Sequence, residues 1–80
     1  MTTIEHRVKK IVAEVLGIEE KDVHDESWLD DDLGADSTDL EEIRMKIEDE
    51  FGDIKDEEAE LMRSVQHFIY YARGQASKNN

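Results

Sequence analysis

Apolar residues recur at intervals of three and four in two long stretches of this chain and one shorter one, separated by acid-rich segments without a period. Ile4, Val8, Ile11, Val12, Val15 and Leu16 form one stripe. Thr2-x-x-Glu5 ahead of it has the form of a capping box, and Gly17 suits a left-handed C′ position. The spacing predicts a first helix over about 3–16. From Asp36, the positions Leu40, Ile43, Ile47 and Phe51 follow helical spacing up to Gly52. Glu41, Glu42, Glu48, Asp49 and Glu50 occupy the other face, interleaved with Arg44 and Lys46. Glu57 to Leu61 suffices for one or two turns, with Ala59 and Met62 inward and Asp53 or Asp56 as the cap. Ser64 then caps a last helix carrying Val65, Phe68, Ile69 and Ala72, which ends near Gly74 ahead of a frayed polar tail over 75–80. Residues 18–35 hold a long loop in which Ile18, Val23, Trp28, Leu29 and Leu33 are spaced apolar anchors, with a short helical turn around Glu19–Val23. No stretch alternates as a strand does. The pattern predicts an all-α four-helix bundle with a short third helix and a long loop between the first two, as one domain over 1–80.

Charge changes the picture more than composition does. Residues 19–60 carry 20 of the 22 acidic side chains and only four basic ones, whereas the two ends together are net basic. An acidic middle of this size repels nucleic acid and anionic membranes and steers basic partner surfaces toward itself. Cysteine is absent, which excludes disulfides, thiolate ligands and a thiol nucleophile supplied by the chain. No apolar run approaches a membrane span or a signal-peptide core, so a soluble, cytoplasmic monomer is expected.

The stretch Asp32-Leu33-Gly34-Ala35-Asp36-Ser37-Thr38-Asp39-Leu40 holds the candidate chemistry. Asp36 has the side chain of an N-cap, and Asp39 adds negative charge to the first turn. Ser37 is then the first helical residue, with its hydroxyl in solvent beside the positive helix end, where a phosphate is electrostatically welcome. Taken alone, Ser37 is better read as an ordinary helix-start serine. It lacks the marks of a nucleophile: His6, His24 and His67 are all distant in sequence, and no nucleophile-elbow glycines surround it. A calcium loop starting at Asp30 fails, because Gly34 and Ala35 fall where a ligand and the obligatory glycine belong. Loose divalent binding by Asp30–Asp32 and by the acids of 48–56 competes with a simple solvated acidic face, and the latter is favoured. The histidines have no metal-ligand spacing, so no metal site is expected. Trp28 and Leu29 are read as loop anchors rather than a partner site. Met45, off the apolar stripe of its helix, suits a partner contact as well as it suits packing.

Over nearly its whole length the chain resembles the acyl carrier proteins. The resemblance rests on Thr-Ile-Glu-His-Arg-Val-Lys-Lys-Ile-Val at the N-terminus, the central Asp-Leu-Gly-Ala-Asp-Ser, and Glu-Asp-Glu-Phe closing the second helix. Asp-Glu-Glu-Ala and Ser-Val-Gln follow further on. It implies that Ser37 receives a covalent 4′-phosphopantetheine arm from a phosphopantetheinyl transferase using coenzyme A, with Asp36 as cap and transferase-recognition residue. The arm's thiol would carry acyl groups as thioesters between separate enzymes of fatty acid or polyketide synthesis that present basic patches. No catalysis by the chain itself is implied. Thr38, Asp39, Glu41, Glu42, Met45, Glu48 and Asp49 would form the partner surface. Ile43, Ile47, Phe51, Ile54, Ala59, Met62 and Phe68 would line a cavity for the acyl chain.

This sequence departs from the family pattern in places. Thr38 stands where the family has leucine after the serine, and Glu41 and Arg44 occupy positions that are apolar in fatty-acid carriers. The connection after Phe51 is one residue short, and Lys55 replaces a common proline. These changes favour a specialised carrier for polyketide, aminoacyl, peptidyl or dedicated lipid intermediates as the alternative. A more remote one is an adaptor with the same fold that is never modified.

Overall fold

The computed structural model describes residues 3–78. Four helices follow in chain order: α1 (Ile4–Leu16), α2 (Ser37–Phe51), α3 (Asp56–Ala59) and α4 (Val65–Lys78), with a single 3₁₀ turn at Glu20–Asp22 in the long first loop. Among the described residues there is no strand, only an isolated antiparallel bridge between Trp28 and Ser64. The expected all-α bundle with a short third helix is what the chain forms.

Each long helix buries the stripe that its spacing predicts. Val8 and Val12 from α1, Ile43 and Ile47 from α2, and Val65, Phe68, Ile69 and Ala72 from α4 meet in one core. α1 packs against both α2 and α4, and those two also touch. Gly17 closes α1 in the left-handed conformation, where a Cβ is disfavoured. The cap at the other end of α1 is Thr3, whose hydroxyl accepts from the His6 N–H at 3.1 Å. The cap expected at Thr2 lies outside the described residues.

Leu29 is fully buried and Val23 nearly so, and both pin the long loop to the core. Backbone bonds fasten it to the junction before α4: Leu29 N–H to the Arg63 carbonyl at 2.9 Å and Val65 N–H to the Ser27 carbonyl at 3.0 Å. Trp28, expected to be an anchor beside Leu29, is 47% exposed, and its ring makes a T-shaped pair with His67.

Two boundaries differ from the sequence-based expectation. Neither Asp53 nor Asp56 caps α3. Lys55 holds the N-cap position without a side-chain bond, while Asp56 lies inside the first turn. α4 does not stop near Gly74 but continues through it to Lys78. Gly74 is not among the glycines with positive φ, so it is no helix stop, and Gln75 beyond it reaches the Phe51 carbonyl at 3.5 Å. The connection between α2 and α3 is held by two α2 side chains. Glu48 accepts from the Ile54 N–H at 2.8 Å, and Arg44 Nη2 donates to the Ile54 carbonyl and to Asp56 Oδ1, each at 2.7 Å. These contacts satisfy both polar groups of a peptide unit whose side chain is buried.

Candidate functional site

The turn before α2 brings the serine to the surface. Gly34 takes a positive φ of 74°, its N–H bonds the Asp30 carbonyl, and Ala35 enters the core with its N–H on the Leu29 carbonyl at 2.8 Å. The chain is thereby fixed on the residue just before the N-cap. Asp36 then accepts from the Asp39 N–H at 2.8 Å, and Asp39 accepts in return from the Asp36 N–H at 3.2 Å. This reciprocal box escaped the sequence reading because its third position carries Asp rather than Glu or Gln. The signal was present in the spacing.

Ser37 opens the 15-residue α2 and is exposed. Among the described residues nothing pairs with the N–H groups of Ser37 or Thr38. Two open donors and the positive end of the helix macrodipole therefore surround an exposed hydroxyl, an arrangement suited to a phosphodiester. Asp36 and Asp39 add negative charge there, but both carboxylates are engaged by backbone N–H groups.

Of the residues expected on the partner surface, Thr38, Glu41, Glu42 and Asp49 are exposed, and Met45 is 60% exposed. Asp39 is half-buried in the capping box. Glu48 departs from expectation: it is half-buried and turned onto the Ile54 N–H. Arg44, placed on the outer face by the sequence, also turns toward the α2–α3 connection, and its bond to Asp56 holds the guanidinium more firmly protonated. The Arg44–Glu48 spacing of four residues was the available clue to that pairing.

A cleft of about 330 Å³ opens between α2 and α3. Of the residues expected to line an acyl cavity, Ala59, Met62 and Phe68 border this cleft, whereas Ile43, Ile47, Phe51 and Ile54 are buried in the core. Leu40 takes their place on the α2 side, with Glu41, Arg44, Asp56 and Glu60 around it. Apolar periodicity alone does not distinguish a stripe residue facing a cleft from one facing a closed core. The acids Asp30 and Asp32 are engaged locally: Asp30 accepts from the Asp31 N–H and Asp32 from the Trp28 N–H, both at 2.8 Å. Among the described residues no group of three or more acidic or histidine side chains could hold a metal ion, and no helix is long and apolar enough to cross a membrane. Residues 6–69 match the family whose description is phosphopantetheine attachment site.

Proposed function

This chain belongs to the phosphopantetheine-attachment family, and on that premise we propose that Ser37 is its attachment residue and that it carries acyl intermediates between separate enzymes without catalysing their reactions. Members of the family bear a covalent 4′-phosphopantetheine, which makes this a carrier protein. The group supplies the thiol that the cysteine-free sequence lacks. The chain's own residues suit it. Ser37 offers an exposed hydroxyl, its N–H and that of Thr38 are open to phosphate oxygens, and the Asp36–Asp39 box holds the helix start rigid. The single observation that carries the assignment is an exposed serine at the first position of a reciprocally capped helix, within the matched residues.

In attachment, the Ser37 Oγ–phosphorus bond forms as the pyrophosphate bond of coenzyme A breaks. Adenosine 3′,5′-bisphosphate leaves, and the hydroxyl proton passes to the transferase. A transferase and acyl-transferring enzymes with basic patches are the partners that the exposed acids of α2 support. A cytoplasmic monomer is the working form. Thr38, Glu41 and Asp49 give that face a polar character, which supports dedicated rather than general fatty acid synthesis. Coexpression with a phosphopantetheinyl transferase followed by intact-protein mass measurement tests the reading. The expected result is a mass increase of one phosphopantetheine that Ser37→Ala abolishes; an unchanged mass, or an increase that persists in Ser37→Ala, overturns it.

A further inference from the structure

We propose that Arg44 makes the α2–α3 cleft select acyl chains bearing a neutral oxygen, a hydroxyl or keto group, over saturated chains of the same length. The inference rests on the carrier reading and deepens it by naming the class of cargo. Arg44 lies seven residues after Ser37, hence about two turns and about 10 Å along the same face of α2. Leu40 sits between them and lines the same cleft. An acyl chain at the end of an arm on Ser37 that enters this cleft therefore meets Leu40, the guanidinium, Met62 and Phe68.

The guanidinium is incompletely satisfied. Its Nη2 bonds Ile54 and Asp56, but its Nε is buried with no partner. Glu48 Oε1 is 3.7 Å from Nε, beyond hydrogen-bond reach. Nη1 also pairs with nothing among the described residues. Of these two, Nη1 is accessible to solvent while the cleft is open, whereas Nε has no accessible surface. A saturated chain would displace water from Nη1 and leave that donor unpaired, whereas a hydroxyl or keto oxygen replaces the water. A carboxylate is disfavoured, because Glu41, Asp56 and Glu60 give the lining net negative charge despite Arg44. The cleft volume lies at the low end of ligand pockets, ~300–1,000 Å³, which suits a chain of short to medium length.

The test loads the protein with octanoyl- and 3-hydroxyoctanoyl-phosphopantetheine from the corresponding acyl-coenzyme A. Thioester cleavage by hydroxylamine is then timed, each rate normalised to the same thioester on free pantetheine. The expected result is that the hydroxyacyl form is protected about tenfold more than the octanoyl form, the worth of one hydrogen bond. Arg44→Met should remove the difference, and Arg44→Lys should keep only part of it. Equal protection in the wild-type protein, or a ratio unchanged by Arg44→Met, overturns the inference. The wild-type ratio decides even where a variant fails to fold. Failure to load at all overturns the carrier reading instead, a result the mass measurement separates from loading without selectivity.

Discussion

Asp36 is the residue on which the site turns, because one carboxylate both starts α2 and positions the serine after it. Asp36→Ala removes the acceptor for the Asp39 N–H and should cost about 1 kcal/mol. Denaturant unfolding should show a lower midpoint at unchanged slope, and Asp36→Asn should recover most of the loss. Gly52 sets a second residue-scale constraint. Its φ of 125° with ψ of 170° lies in a region open essentially to glycine alone, so the backbone resists an added Cβ even though the Gln75 amide 2.7 Å from it is a flexible end that can move aside. At Gly34 the φ is 74° and nothing lies within 4 Å of an added Cβ. Gly52→Ala should therefore destabilise by about 1–3 kcal/mol, and by more than Gly34→Ala, where only the left-handed backbone resists. Equal midpoints for the two variants would contradict this. The positive φ at each glycine was not legible in the sequence; only the helix stop at Gly52 was.

Among the elements, α4 does more than close the bundle. Tyr71 on α4 donates its hydroxyl to the Gly52 carbonyl at 2.7 Å, shares it with the Asp53 carbonyl, and so ties α4 to the end of α2. Burial, with Glu48, Asp53 and Glu58 nearby, raises the pKa of this phenol above its ordinary 10.0. A raised folded-state value means that the contribution is complete below the unfolded value and lost as pH rises through the folded one. Stability of the wild-type protein should therefore fall above about pH 10, and more steeply than that of Tyr71→Phe, which lacks the titrating group. Parallel pH profiles in chemical denaturation would refute this. Tyr71 lies outside the stripe of Val65, Phe68, Ile69 and Ala72 that the α4 spacing predicts. Its partner lies 19 residues away, a separation invisible to helical periodicity.

At the scale of the whole molecule, the basic ends fold onto the acidic middle. Arg7 pairs with Glu50 at 3.2 Å, Lys9 with Asp25 at 2.6 Å, and His6 with Glu20. Arg63 pairs with Asp30 at 3.5 Å. Salt weakens such pairs, but exposed ones contribute only about 0–1 kcal/mol each. A net charge of −12, concentrated within residues 19–60, leaves repulsion as the larger effect. Raising salt from about 0.01 M to about 1 M shortens the screening length from ~30 Å to ~3 Å. The melting temperature should rise over that range; a constant or falling value would show that the ion pairs outweigh the repulsion.

Helices, the Asp36 cap and the exposed serine at a helix start were legible in the residues themselves, because they follow from local spacing and from which side chains satisfy nearby backbone groups. The direction of Arg44 and Glu48, the exposure of Trp28 and the lining of the cleft were not. Each depends on which element lies across from it: Ile54 needs partners for both its N–H and its carbonyl, and α2 supplies them. Local pattern marks the exposed serine that opens α2. The packing of α2 against α3 shapes the cleft beside it, and that packing draws on contacts between residues far apart in the chain.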